Sequence, residues 1–483
     1  MSSNPFSQLL STLNFAWRHE PPGGPELTDI QWRADACGPG SILFFQRFED
    51  GRSDAEVFER YLAACPFAVL VTNRRLDCLD RLPYKGVYVT HPGDWPEVMR
   101  RFCDLAYPLE PDALHFIGVT GTNGKTTTVK YLESILAANG RRVLSVGTLG
   151  VSLDGRPLVT TGFTSPPLIE LRRLLYAQQA HCDVVAMEVS SHALDQGRVH
   201  GLPLMNAGWT NFTQDHLDYH GGLDAYFTAK ARIIDLIQDG GRLFCTSRDV
   251  ARRLDEQGPS RVPIEVPIEV LNAAHLGSEA TAAKPFLALE HNRLNYALAT
   301  RLADGVLGPG PREDWRHLSP VDGRFECRTF GARTIVVDFA HTPDALETIL
   351  TAIRTGFPGH RVLTLFGCGG DRDHGKRPLM GAAVARHSDH SIVTSDNPRH
   401  EDPAQIIADI VAGMPPVGRE LVVDRVQAVA RLFDLLAERP AGEPWVALIA
   451  GKGHERYIDR AGHKTYYSDQ DEVERNARRL GWE

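Results

Sequence analysis

The chain has 483 residues, 42% of them hydrophobic and 23% charged, with a formal net charge of −9 and a pI near 6.1. That length exceeds what one core usually supports and predicts two or three domains; the composition excludes a mainly disordered protein, and the acidic balance excludes a global attraction for nucleic acid. Eight cysteines without a C-x-x-C pair, no basic-then-apolar leader in the first 28 residues and no apolar run of about 18 residues together predict a cytoplasmic enzyme with no structural zinc and no membrane or nucleic-acid partner.

In chain order, short apolar strands at 41–45, 67–71 and 86–89 alternate with helical stretches, which predicts a small α/β domain over residues 1–108. Residues 115–120 then read as a strand breaking into a glycine loop, Gly121-Thr122-Asn123-Gly124-Lys125-Thr126-Thr127, that opens a helix. Glycines let several N–H groups face one anion, Lys125 can reach the outer phosphates, and Thr126 offers a hydroxyl to Mg²⁺. Val119 stands where the strict P-loop pattern has its first glycine, so ATP or GTP binding is expected from mechanism rather than from a full pattern match.

Further strands at 143–146, 184–187 and 207–210, spaced for crossover helices, predict a parallel sheet with ligands at its C-terminal ends, within a central domain over 109–317. A breaker-rich piece at 305–311 precedes strands at 334–337, 362–366, 391–394 and 446–449, which predict a Rossmann-like domain over 318–483. The expected fold class is therefore α/β, in three domains.

Several runs carry chemistry. They are Met187-Glu188-Val189-Ser190-Ser191-His192, Gln196-Gly197-Arg198, Asp215-His216-Leu217-Asp218-Tyr219-His220, Asp338-Phe339-Ala340-His341, Gly369-Gly370-Asp371-Arg372-Asp373, Asp396-Asn397-Pro398-Arg399 and Gly451-Lys452-Gly453-His454-Glu455. In this order, over about residues 110–475, they resemble the Mur ligases, and among these the members that add meso-diaminopimelate. The resemblance implies an ATP-dependent, ADP-forming ligase that joins meso-diaminopimelate to UDP-N-acetylmuramoyl-L-Ala-D-Glu through an acyl phosphate in peptidoglycan precursor synthesis, with ATP and Mg²⁺. An alternative is a Mur-type ligase acting on a carboxylate acceptor without UDP, in a recycling or specialised peptide pathway. Either way the partners are small molecules; the sequence carries no signal of oligomeric state.

The same resemblance implies roles for individual residues. Lys125 faces the γ-phosphate; Thr126, Glu188 and His216 ligate Mg²⁺; Lys230 is carbamylated by CO₂ and serves as a further oxygen ligand. Asn292 and Asn295 lie near the adenine, and Arg324, Asp338 and His341 close on the nucleotide from the third domain. Thr164, Ser165, Ser190, Gln196 and Arg198 hold the muramoyl-dipeptide end. Arg377, Asp396, Asn397, Arg399, Gly451 and Glu455 form the pocket for the incoming amino acid, with Arg399 on the distal carboxylate and Glu455 on the distal ammonium. A guanidinium suits that carboxylate because it can offer two parallel hydrogen bonds.

The resemblance weakens at the start. Where these ligases usually carry Asp-Ser-Arg against the uridine nucleotide, this chain has Arg33-Ala34-Asp35 before Gly38-Pro39-Gly40, and the segment between Lys230 and Asn292 is expected to be short for the family. Other chemistries fail on spacing: position 458 is Ile, not the second histidine of a zinc-protease helix, and no G-x-S-x-G elbow accompanies Ser190-Ser191-His192.

Overall fold

The computed structural model describes residues 4–21, 26–48, 51–82, 85–110, 114–256, 263–265, 280, 284–310 and 314–482. The first sheet runs in the order Trp17–His19, Gly86–Val89, Val69–Thr72, Ser41–Phe45, Asp29–Gln31. Its four last-named strands are parallel and Trp17–His19 pairs antiparallel at the edge. Val69–Thr72 is apolar on both faces and buried throughout, as a central parallel strand must be.

The second sheet orders Ile264–Glu265, Ile237–Cys245, Leu204–Trp209, His115–Thr120, Val184–Glu188 and Val143–Gly147 in parallel, then turns antiparallel through Gly150–Leu153 and Arg156–Val159. His115–Thr120 lies between Leu204–Trp209 and Val184–Glu188, so Gly121, Glu188 and Thr210 emerge on one edge of the sheet. One face packs against helices Lys125–Ala138 and Glu290–Leu307 through Val129, Leu132, Ile135, Leu298 and Leu302. Trp209, Phe227 and Ile233 belong to the core on the other face.

The third sheet orders Glu326–Phe330, Arg333–Asp338, Trp445–Ala450, Arg361–Phe366, His390–Val393 and Arg419–Leu421, parallel except for the first strand. Asp338, Gly451, Gly367 and Thr394 follow or end its strands on the edge that meets the central domain. A hairpin, Tyr457–Arg460 with His463–Tyr466, stands beside it and joins residue 399 through a bridge to Arg460.

All strands expected from apolar runs are present, with ends no more than three residues from those expected. The strands not foreseen are the edges Trp17–His19, Asp29–Gln31, Glu326–Phe330 and Arg419–Leu421, the hairpins, and Ile237–Cys245 with Ile264–Glu265. Gly240 and Gly241 interrupt the pattern of Ile237–Cys245, whose centre is exposed. Of the breaker-rich piece, 305–307 finish helix Glu290–Leu307, whereas Pro311 lies outside the described residues, as do 257–262 and 266–279, where the expected shortening falls. Among the described residues no helix is long and apolar enough to cross a membrane.

Candidate functional site

The glycine loop lies at the centre of the site. Gly121 (φ 139°) and Gly124 (φ 84°) hold backbone that other residues rarely adopt, and a Cβ on Gly124 would sit 2.6 Å from Asn295 Oδ1. Asn123 N–H donates to Asn211 Oδ1 at 2.8 Å, and Thr122 Oγ1 donates to the Thr213 carbonyl at 3.2 Å. The loop is thereby tied to the segment that follows Leu204–Trp209. Thr126 and Thr127 are buried in the first turn of the helix. Asn292, one turn before Asn295, donates Nδ2 to the Phe286 carbonyl at 3.0 Å.

Two lysines converge on this loop. Lys125 Nζ donates to the Gly121 and Thr122 carbonyls at 2.9 Å each, and Lys230 Nζ donates to the same Gly121 carbonyl at 2.7 Å. Lys230 is 1% exposed. Burial first, and the neighbouring Lys125 charge second, push its pKa well below the usual lysine range, which favours a neutral, nucleophilic amine. Lys125 is also lowered, chiefly by burial, with Glu188 and Asp215 opposing.

Glu188 ends its strand with the carboxylate accepting from Thr148 N (2.7 Å) and Thr148 Oγ1 (3.1 Å). Two hydrogen bonds leave a carboxylate with lone pairs to spare. His216, in left-handed backbone (φ 54°), places Nε2 3.4 Å from Asp215 Oδ2. Burial, with Asp215 opposing, pushes its pKa down to about 3, so the ring is neutral with a lone pair free to coordinate. His192 and Tyr226 meet its ring edge-on, and Tyr219 and His220 pack on His192 in turn.

Thr164, Ser165, Ser190, Gln196 and Arg198 come together at the end of the same strand. Ser165 Oγ donates to the Glu188 carbonyl (2.8 Å) and accepts from Ser190 N (3.1 Å). Thr164 Oγ1 lies 3.0 Å from Thr148 Oγ1. Arg198 donates to the Ser165 carbonyl and, through Nε and Nη2, to Gln196 Oε1 at 2.9 and 2.6 Å. The first domain reaches this cluster through Trp32, edge-on to Phe163 at 5.9 Å, over which Arg198 lies. Beside Trp32, Arg33 and Asp35 are exposed and pair with each other, Nε to Oδ1 at 2.9 Å.

The third domain closes the opposite side. Arg324 lies over the Phe339 ring at 4.2 Å. Asp338 accepts from Phe325 N and Ala340 N at 2.8 and 2.7 Å, fixing the two turns that carry Arg324 and His341. Gly323 (φ 63°) cannot be replaced quietly, since a Cβ there would lie 2.1 Å from His454 N. His341 Nδ1 faces the Phe339 carbonyl at 2.8 Å, and burial lowers its pKa to about 4. Contacts span the cleft: Asn123 Nδ2 to Asp344 Oδ2 (3.3 Å), Gln214 Nε2 to Asp373 Oδ2 (3.2 Å) and Lys376 Nζ to Asp215 Oδ1 (3.8 Å).

Asp396, Asn397, Gly451 and Glu455 form one pocket, and Arg399 stands at its side, donating Nη1 to the Gly370 carbonyl at 2.6 Å from left-handed backbone (φ 50°). A Cβ on Gly451 would lie 2.5 Å from Asp396 Oδ2. Arg377 does not join them: it is fully buried, with Nη2 on Glu401 Oε1 and Oε2 and Nη1 on Asp409 Oδ2 at 2.8–2.9 Å. The loop's other arginine, Arg372, is exposed, makes no ion pair among the described residues, and its charge acts on His192. Sequence reasoning missed Arg372, although it stands in a quoted run. It also missed Thr148, Asp215, Asp344, Lys376 and Lys452, whose significance comes from burial and pairing.

A model of the Mur ligase middle domain matches residues 119–266, and a model of the Mur ligase glutamate ligase domain matches 323–453. A UDP-N-acetylmuramoyl-L-alanyl-D-glutamate–2,6-diaminopimelate ligase from Parasynechococcus marenigrum is 36% identical over 94% of this chain and 95% of its own. The chain is a Mur ligase. The ligase of the same name from Ralstonia nicotianae is 40% identical over 75% of this chain and 76% of its own. A solved structure of a ligase of that name superposes with TM-score 0.54 at 25% identity, covering 94% and 95% of the two chains. MurF ligase from Thermotoga maritima, solved with ADP, shares the fold (TM-score 0.56, 15% identity, covering 94% and 98%). This Mur ligase is thus an ATP-dependent amide-forming enzyme of three α/β domains, with a nucleotide site.

Proposed function

We propose that this Mur ligase adds meso-diaminopimelate to UDP-N-acetylmuramoyl-L-Ala-D-Glu, an ADP-forming step of peptidoglycan precursor synthesis in the cytoplasm. The observation that carries the reading is the position of Glu188. Its carbonyl holds Ser165 of the acceptor cluster, while its carboxylate acts electrostatically on both Lys125 of the nucleotide loop and Arg324 of the third domain. Nucleotide, acceptor carboxylate and closing domain therefore meet at one point.

The chemistry follows from what a carboxylate lacks. It is a poor acylating agent, so the γ-phosphoryl group passes to it from ATP and the amine then displaces phosphate. Transfer between two anions needs fixed positive charge, which Lys125 and Arg324 supply in a pocket largely closed to water. Thr126 Oγ1, the spare lone pairs of Glu188 and neutral His216 fit a divalent cation such as Mg²⁺, which would neutralise phosphate charge when bound. Lys230 fits carbamylation, because only an unprotonated lysine attacks CO₂ and burial beside Lys125 disfavours its charged form. Ser165, Ser190, Gln196 and Arg198 orient the acceptor's carboxylate end, and Asn295, packed on the loop, borders the base of the nucleotide. Arg399 and Arg372 take the carboxylates of the amino acid and Glu455 its distal ammonium; Arg377 anchors the loop through Glu401 and Asp409.

A second reading, an acceptor without UDP, is favoured by Ala34 and Asp35, which stand where the family carries a serine and an arginine, and by the pairing of Asp35 with Arg33. One experiment separates the two: ADP release with meso-diaminopimelate and either UDP-muramoyl-L-Ala-D-Glu or the same muramoyl peptide without UDP. The first reading expects a low KM for the UDP form and a much poorer peptide; equal specificity constants would promote the second.

A further inference from the structure

Glu455 shares its pocket with a second carboxylate and a buried cation. Lys452 is fully buried, with Nζ 2.9 Å from Asn397 Oδ1, 3.2 Å from Asp396 Oδ1 and 3.5 Å from Glu455 Oε2. Asn397 Oδ1 also accepts from Asp459 N at 2.9 Å, which orients the amide so that Nδ2 donates to Glu455 Oε2 at 2.9 Å. A lysine is rarely buried without strong pairing, and among the described residues this one has its hydrogen-bond and ion-pair partners in that pocket, with the Tyr457 ring 5.6 Å away. The charges add up simply: two carboxylates and one ammonium leave one negative charge over.

We propose that Lys452 is a positioning residue that sets specificity for the second amino group of the incoming diamino acid. It neutralises Asp396 and, through Asn397, fixes Glu455, so that a single uncompensated negative charge faces the distal ammonium. The inference rests on the reading of Arg399 and Glu455 as the distal-end pocket.

The groups that act on Glu455 are Asp396, Lys452, Asn397, Tyr457 and, from across the pocket, Arg324; behind Asp396 stand Arg425 and His341. Burial and Asp396 push the Glu455 carboxyl up, and Lys452 and Asn397 oppose them. Without Lys452, the Asp396 repulsion of an ionised Glu455 loses its main opposing charge, and the Asn397 hydrogen bond is left to resist it. Glu455 then takes up a proton at higher pH, and the attraction for the ammonium goes with it.

The test compares meso-diaminopimelate with 2-aminopimelate, which keeps both carboxylates and lacks the distal amine, in ADP-release assays from pH 5.5 to 9. Wild type should prefer the diamino acid. Lys452→Met should reduce that preference by about 10-fold or more and move the acid limb of kcat/KM for meso-diaminopimelate to higher pH, leaving the KM for ATP unchanged. Lys452→Arg should recover part of both. Equal losses on the two acids, or an unmoved acid limb, would overturn the proposal in favour of a structural lysine. If Lys452→Met fails to fold, the wild type still decides: its preference should fade as pH drops through the acid limb, and a preference constant with pH would overturn it. A wild type that uses neither acid would instead overturn the pocket reading on which the proposal stands.

Discussion

Lys125 and Lys230 donate to one carbonyl, that of Gly121, so each raises the cost of charging the other. A bound triphosphate would draw Lys125 off the loop toward its oxygens. Lys125→Ala should therefore keep the fold and lower kcat by at least about 10²-fold, read as ADP release with both co-substrates present; wild-type release would refute the assignment. Lys230→Ala should lose activity that short-chain carboxylic acids partly restore, because they return an anionic oxygen to the place of the carbamate; mass analysis of native protein in CO₂-rich buffer should show the added 44 Da, roughly the mass of CO₂. Arg399→Ala should weaken use of meso-diaminopimelate by about 10- to 150-fold, the loss of a charge-assisted hydrogen bond, while barely affecting lysine. A wild type that prefers lysine would show the pocket misread.

At the scale of elements, what the sequence reveals depends on which faces a strand buries. Val184–Glu188 and Trp445–Ala450 are buried throughout, so their apolar runs are plain. Arg156–Val159 is exposed along its length and carries no such signal. The glycine loop was legible because it had to follow an apolar strand, whereas the roles of Thr164, Ser165, Ser190, Gln196 and Arg198 come from the family resemblance alone. Which arginine of the 369–377 loop is free was not legible, since Glu401 and Asp409, which occupy Arg377, lie far along the chain. Arg425 was equally illegible. Fully buried, it pairs through Nε and Nη2 with Asp469 at 2.9 and 2.8 Å and donates to the Ala450 carbonyl at 2.9 Å, just before Gly451. Asp469→Ala should leave that guanidinium unpaired and destabilise the third domain by about 3–5 kcal/mol, visible as a lowered Tm.

Across the whole molecule, half-buried histidines make the fold acid-sensitive. Burial lowers His192, His291 and His341 to about 4 and His454 to about 3, from the 6.5 of an exposed ring. The unfolded chain therefore binds protons that the native state refuses. The stability is fully present above about pH 6.5 and is lost as pH falls toward 4 and 3. Tm should decline steadily across that window, with net proton uptake on unfolding at pH 5; a Tm flat from pH 7 to 5 would contradict it.

Three polar contacts span the cleft, Asn123 with Asp344, Gln214 with Asp373 and Asp215 with Lys376, while Leu289 of the central domain packs into the core of the third. On the proposed reading a nucleotide in the cradle would face residues 341–344 and 371–376 across these contacts, and its release would require the two domains to part. Each turnover would then break these contacts and remake them, at about 0.5–1.5 kcal/mol for an ordinary hydrogen bond. Polar contacts of this kind suit a latch, strong enough to keep water from an acyl phosphate and weak enough to part on the microsecond-to-millisecond scale of hinge motion.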